Sequence, residues 1–460
     1  MKLGAGNERS HNLKAALREL IKATRPKGNF TITHWWQGSP QLFCGQWDLG
    51  LLIALKDRVI FTLTSRLEGV VAMVGLVRTF YEFFSGGGLA RYGLGPQWRC
   101  LLANDIDEKK AACYRANFGS EELIVADVAS LETSHLAGTA DLAWASFPCQ
   151  DLSLAGNGAG LRGHRSGTFW PFWRLVKGLC EEGRAPRLVV LENVCGTLRS
   201  HGGRDFVAIG EALASSGYRF GALVVDAVGF LPQSRPRLFM VGTLDGLAIP
   251  EMIASTVSDL KWTTQALVEA RRGLSKETVK RWVWWTLPEP RIAPLRFSDL
   301  IEEAPTGVEW HSPQETQRLL SLMSNLNRAK VNAKKRESKL IGRRVVGTIY
   351  KRTREDENGD KRQRAEVRFD EIAGCLRTPA GGSSRQTIVV IEGDQVRSRL
   401  LSAREAARLM GLLDDYKLPS RYNEAYHVAG DGLAIPVVRH LAEHLLEPLL
   451  DANDQATRAA

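Results

Sequence analysis

Two short apolar runs, each broken off at a chemically loaded residue, constrain this chain more than any other feature. Residues 141–145 lead into Ser146-Phe147-Pro148-Cys149-Gln150, and residues 188–191 lead into Glu192-Asn193-Val194. Runs of this length and composition read as buried parallel strands. A thiol and a carboxylate should therefore emerge at the same carboxyl-end edge of one open sheet, where α/β proteins place their ligands. A cysteine after proline in a loop is a candidate nucleophile, and a carboxylate beside it can handle a proton.

The stretch from Val74 to about Asp245 keeps the same rhythm. Residues 79–84 read as a strand running into Ser85-Gly86-Gly87-Gly88, and residues 100–103, 123–126 and 142–145 as further strands. Between them, residues 108–117 are helical with Asp107 placed to cap. Residues 168–180 repeat apolar side chains at Phe169, Phe172, Trp173, Val176 and Cys180, a helical face. Residues 206–213 are helical, and residues 222–228 with 238–241 form a closing hairpin. Such βα alternation predicts the α/β class and a doubly wound sheet.

Outside this stretch the pattern changes. Residues 1–72 show no strong periodicity and read as an N-terminal extension without an assigned role. Residues 250–397 lose the rhythm at prolines 288, 290, 294, 305 and 313 and at Gly381-Gly382-Ser383-Ser384, so a separate domain of irregular structure is expected there. Regularity returns near Leu401: Ser402-Ala403-Arg404-Glu405 is a capping-box pattern, and a last helix starts around Pro436.

The net charge of +10 over 460 residues favours a polyanionic partner such as nucleic acid. The excess is local: residues 325–368 hold fifteen Lys and Arg against six Asp and Glu. The plainer reading of that run is a solvated loop. Seven scattered cysteines without a CxxC pair argue against a disulfide framework or a zinc site and for a reducing compartment. With no apolar stretch of eighteen residues and no secretory segment near Met1, a cytoplasmic protein with no membrane span is expected.

Individual residues carry more than one reading. The glycine turn lets backbone approach a ligand without a Cβ clash. Asp105, ending the second strand, stands where a ribose diol is gripped, while Asp127 at the end of the third strand could accept from an adenine amino group. Together they favour an adenosine-containing cofactor. Glu192 at a strand end is either functional or paired with Arg235 or Arg237, because a lone buried charge is costly. In Gln233-Ser234-Arg235-Pro236-Arg237 the two guanidiniums share one side if the segment is extended, suited to a carboxylate, a phosphate or a base carbonyl. Cys113, Cys180 and Cys195 have packing as their default, and His164 and Arg165 read as solvated loop residues. Trp282, Trp284 and Trp285 either stack on bases or build a small core, the second by default.

Taken in order, these residues form a recognisable set. Glu82-Phe83-Phe84-Ser85-Gly86-Gly87-Gly88, Asn104-Asp105-Ile106-Asp107, Asp127, Phe147-Pro148-Cys149-Gln150, Glu192-Asn193-Val194, Gln233 to Arg237, Arg377-Thr378-Pro379, Arg404-Glu405 and Gly430-Asp431-Gly432 resemble the DNA (cytosine-5-)-methyltransferase family. The likeness covers roughly residues 74–245 and 372–448. It departs from the family's usual residues at Glu82, commonly Asp, at Leu89, commonly Gly, and at Asp431, commonly Asn.

The resemblance implies a Rossmann-like sheet of the S-adenosylmethionine-dependent methyltransferase type with a smaller target-recognition domain. In that arrangement residues 73–249 are the catalytic domain, 250–397 the target-recognition domain, 398–450 a segment returning to the catalytic domain, and 451–460 a tail. Phe84, Ser85, Gly86, Gly88, Asp105, Ile106, Asp127, Val128, Pro148 and Asp431 would hold S-adenosylmethionine. Cys149 would attack the target base, with Glu192, Arg235 and Arg237 around it and no metal. The implied partner is duplex DNA, bound by a monomer, with room for a cognate restriction endonuclease. An RNA cytosine-5 methyltransferase and a non-catalytic nucleic-acid-binding protein on the same fold are the competing readings. A nicotinamide dehydrogenase fits least, since the glycine turn lacks full GxGxxG spacing.

Overall fold

Alternate side chains along the apolar runs go to opposite faces of one sheet, and both faces are covered. The computed structural model describes residues 30–35, 50–55, 59–66, 69–148, 168–290, 295–355, 359–377 and 385–459. The chain divides into two units, Met1–Arg78 and Thr79–Ala460.

The first unit contains an antiparallel sheet in sequence order, built from β1 (Phe30–Trp35), β2 (Gly50–Leu55), β3 (Val59–Arg66) and β4 (Gly69–Leu76). The extension without evident periodicity thus has regular structure. Its strands alternate with no Asn-Gly or Asp-Gly punctuation, the signal that makes a hairpin visible in sequence.

The second unit is organised around seven strands: β5 (Arg78–Phe83), β6 (Trp98–Asp105), β7 (Leu123–Val125), β8 (Leu142–Ala145), β9 (Leu188–Val194), β10 (Tyr218–Asp226) and β11 (Pro236–Leu244). Their spatial order is β10-β11-β9-β8-β5-β6-β7. The pairs β5–β8, β8–β9 and β6–β7 are parallel, whereas β11 runs antiparallel to both β9 and β10. The chain therefore winds outward from β5 to β7, then returns to β8 on the other side. That reversal is the switch point where open α/β sheets hold ligands.

In β8, Leu142 and Trp144 join one apolar cluster and Ala143 and Ala145 the other. This explains the unbroken apolar runs: a parallel sheet buried on both sides has no polar face to alternate with. The first layer includes α1 (Leu89–Leu94) and α2 (Glu108–Phe118); the second includes α3 (Phe169–Glu181) and α4 (Arg204–Ser215).

Beyond β11, β12 (Ala254–Ser255) pairs with β13 (Trp284–Trp285), flanking α5 (Gln265–Arg272) and α6 (Lys276–Lys280). The tryptophans here build a core. Trp285 is buried and donates to the Val241 carbonyl, and Trp282 packs edge-on or tilted against Phe206, Phe220 and Trp284.

The expected irregularity gives way after residue 312. Helices α7 (Pro313–Ser321) and α8 (Asn325–Ile341) pack on a sheet ordered β15-β14-β16-β17, formed by β14 (Val345–Glu355), β15 (Lys361–Arg368), β16 (Thr387–Glu392) and β17 (Gln395–Leu400). Leu319, Met323, Val331, Ile349, Val367, Val389 and Ile391 form the core between them. The basic run is therefore a helix and a hairpin.

The chain then returns through α9 (Ala403–Arg408), α10 (Tyr422–Asp431), α11 (Ile435–Leu441) and α12 (Glu447–Ala459). The capping box at Ser402 and Glu405 is present in full. Among the described residues no helix is long and apolar enough to cross a membrane.

Candidate active site

Register places the two motifs side by side. Ala145 of β8 pairs with Leu191 of β9, so Ser146 leaves the end of β8 beside Glu192, from which β9 runs on to Val194 against β11. Asn193 then donates to the Phe147 carbonyl at 3.1 Å, fixing the start of the loop that carries Pro148. Asn193 belongs to a motif the sequence displays, but its role needs the fold to be seen. Cys149, Gln150 and the loop through His164 and Arg165 lie outside the described residues, as do Thr378, Pro379 and Gly381 to Ser384.

Glu192 is 8% exposed and its Oε1 lies 3.2 Å from Arg237 Nε. Burial raises its carboxyl above the usual range, against the pull of Arg237 and Arg235 and a hydrogen bond from Ser146. Burial thus works against the charged form, and the two guanidiniums for it, at an edge where an incoming group could meet the carboxyl.

The two arginines of the Gln233 to Arg237 segment diverge. Arg237 turns to Glu192. Arg235, only 2% exposed, donates to the carbonyls of Leu376, Gly430 and Gly432 at 3.1, 2.9 and 2.6 Å. It thereby pins both sides of Asp431. Gln233 is fully buried, donating to the Leu409 carbonyl and accepting from the Leu376 N–H.

Both guanidiniums reach one atom that sequence reasoning did not single out. Cys375 Sγ is 3.5 Å from Arg235 Nη1 and 3.8 Å from Arg237 Nη2. Burial alone would raise this thiol, but Arg235, Arg237 and Arg377 bring it below the ordinary value. No local pattern marks Cys375, because its partners come from a distant strand.

On the other side of the switch point, the glycine turn follows β5. Phe84 has φ +58°, a sparsely populated conformation for a non-glycine residue that the following turn imposes. Gly86, at φ +55°, donates its N–H to Asp105 Oδ2 at 2.8 Å. Gly88 caps α1 at φ +80°, where a Cβ would strike the Phe118 ring at 2.5 Å. Ser85 is buried beside it, with its hydroxyl unpartnered among the described residues.

Asp105 also accepts from the Asp107 N–H at 2.8 Å, and Asp107 caps α2 as expected. Ile106 is 68% exposed next to this carboxylate. Because Asp105 pairs with Val125, Asp127 emerges at the neighbouring strand end, where it caps a turn through the Ala129 N–H. Val128 is buried beneath it.

The returning segment closes over the turn. Tyr416 donates to the Gly87 carbonyl, and Asp431 Oδ2 lies 2.8 Å from Lys110 Nζ. Among the described residues no group of three or more His, Cys, Asp or Glu is placed to hold a metal ion.

The sequence pattern of the C-5 cytosine-specific DNA methylase family matches residues 78–447. The type II methyltransferase M.BsuFI of Bacillus subtilis is 24% identical over 84% of this chain and 76% of its own length. M.NgoBI of Neisseria gonorrhoeae is 26% identical over 78% of this chain and 89% of its own. M.HpaII of Haemophilus parainfluenzae is 23% identical, covering 82% and 91%.

Proposed function

Since the chain belongs to the C-5 cytosine-specific DNA methylase family, we propose that it methylates C5 of cytosine in duplex DNA, using S-adenosylmethionine, with Cys149 as nucleophile. The observation that carries this reading is the Glu192–Arg237 pair, set beside the strand end from which the chain runs to Cys149.

C5 of cytosine is too weak a nucleophile to take a methyl group unaided. Addition of the Cys149 thiolate to C6 makes C5 electron-rich. Glu192, by hydrogen bonding or protonation at N3, offsets the charge that develops, while Arg237 holds the base carbonyl. C5 would then take the methyl group that the donor supplies, the demethylated donor departing; loss of the C5 proton to solvent and departure of Cys149 restore the ring. The C6 face is hidden in a duplex, so the base leaves the stack at a cost of a few kcal/mol. Arg235 acts at a distance from this, by fixing the turn around Asp431.

The residues of the glycine turn suit a nucleoside-bearing donor. Asp105 offers its carboxylate for ribose hydroxyls, Ile106 presents exposed apolar surface to a purine, and Asp127 stands at the adjoining strand end for an amino group. Phe84, Ser85, Gly86, Gly88, Val128, Pro148 and Asp431 complete the lining. When bound, the donor supplies an electrophilic sulfonium methyl.

The test is methyl incorporation from labelled donor into cytosine-containing duplex DNA and, in parallel, transfer RNA. Cys149→Ala should abolish incorporation. Equal incorporation by both proteins removes Cys149 from the reaction, and preference for RNA replaces the substrate.

A further inference from the structure

The hairpin of β14 and β15 is only half supported by its sheet. β16 pairs with Val345 to Ile349, and from Tyr350 to Glu355 the strand is paired with β15 alone. Those residues form a free-standing two-stranded ribbon roughly 20 Å long at about 3.4 Å per residue. Its root is held by Ile349, Ala365 and Val367 in the underlying core, while Lys351 to Glu355 and Lys361 to Gln363 are exposed.

Residues directly opposite in an antiparallel pair share a face. Arg352 faces Arg364, and Arg354 faces Arg362. Four arginines therefore crowd one side of a ribbon that has no core to stabilise it. Isolated hairpins are marginal in water, and like charges directly opposite weaken them further. Such an arrangement is relieved by an anion laid along it.

Two carboxylates already stand here, and Asp360 Oδ2 lies 3.8 Å from Arg362 Nη2. Glu366, on the same face opposite Tyr350, takes Arg354 on Oε1 at 2.6 Å and stands 3.4 Å from Arg352 Nε through Oε2. The face continues toward the active site: the Tyr350 hydroxyl accepts from the Gly374 N–H, and Gly374 adjoins Cys375, which contacts Arg235 and Arg237.

We propose that the arginine face of this ribbon binds the phosphates of the DNA duplex, with Glu366 a resident competitor that the DNA backbone displaces. The proposal rests on duplex DNA being the substrate and adds which surface holds it and what limits its grip. A two-stranded ribbon fits the major groove, about 12 Å wide, with phosphates on either side. Exchanging a half-exposed ion pair for phosphate contacts costs little, since surface pairs contribute only about 0–1 kcal/mol.

The test is fluorescence anisotropy of a labelled cytosine-containing duplex with the full chain across a potassium chloride series, with single-stranded RNA as a competitor. Arg362→Gln with Arg364→Gln should weaken binding about tenfold and lower the slope of log affinity against log salt by about two, near 0.9 for each phosphate no longer neutralised. Glu366→Gln should bind about threefold tighter at low salt, a gain that a damaged fold cannot produce. If the unsubstituted chain binds the duplex while all variants keep its affinity and slope, the ribbon is overturned and the substrate reading stands. If the unsubstituted chain ignores the duplex, or RNA displaces it preferentially, both fall.

Discussion

Two buried arginine–glutamate pairs in this protein look alike in chemistry and differ in completion. Arg399 and Glu405 are both fully buried, with contacts of 2.7 and 2.8 Å, and each Glu405 oxygen also accepts a backbone N–H, from Glu302 or Ser402. Arg399 adds bonds to the carbonyls of Glu302 and Leu400. The Glu192–Arg237 pair meets at 3.2 Å, at the open end of two strands. In the first pair both carboxylate oxygens and both terminal nitrogens are taken, leaving Arg399 Nε alone without a hydrogen-bond partner among the described residues, and it ties β17 to α9. The second leaves the Glu192 carboxyl with hydrogen-bonding capacity where a substrate would arrive. Completion, rather than burial, separates a structural ion pair from one available for chemistry.

The largest effect should come from the closed pair. Glu405→Gln leaves the Arg399 charge uncompensated in the interior, which costs about 3–5 kcal/mol. Urea denaturation should show that loss as a lower midpoint. A loss below about 1 kcal/mol would mean that the pair is not what holds β17 to α9. Glu192→Gln should do the reverse. Burial already works against its charge, so the neutral amide should cost less stability than Glu405→Gln does, whereas turnover falls about a hundredfold or more. If turnover survives and the midpoint drops, the two pairs have been assigned the wrong way round.

The same contrast explains what the sequence made legible. Strands β5 to β9 could be read because both sheet faces are buried and their apolar runs are unbroken. The ends of those runs drew attention to Asp105 and Glu192, since open α/β sheets hold ligands at their strand ends, although β9 itself runs on past Glu192 to Val194. The ribbon of β14 and β15 was hidden because arginine and lysine occupy both of its faces, erasing the alternation that marks a strand. Arg235 and Arg237 looked equivalent two positions apart. Only the fold brings the carbonyls of Leu376, Gly430 and Gly432 onto one of them and Glu192 onto the other. Cys375 was invisible for the same reason: its environment is assembled from segments some 140 residues distant.

A third carboxylate sharpens the rule, because no guanidinium closes on it. Glu82, where the resembling family commonly has Asp, is 1% exposed on β5. Its Oε1 accepts the Arg91 backbone N–H at 3.3 Å, and Oε2 has no hydrogen-bond partner among the described residues. The Arg91 guanidinium goes instead to the Tyr114 hydroxyl and Glu122. Burial pushes Glu82 up to about 8 from 4.5. Between those values the folded chain holds a proton that the unfolded chain has lost, so stability from this group declines as pH rises, then levels off above about 8. At 1.36 kcal/mol per unit the decline from pH 6 to 8 is about 2 kcal/mol. Glu82→Gln cannot ionise and should remove that part of the slope, making the variant relatively more stable at pH 8 than at pH 6. Parallel stability–pH curves for the two proteins would show that Glu82 is ionised in the folded state after all, and that Arg91 completes it as Arg399 completes Glu405.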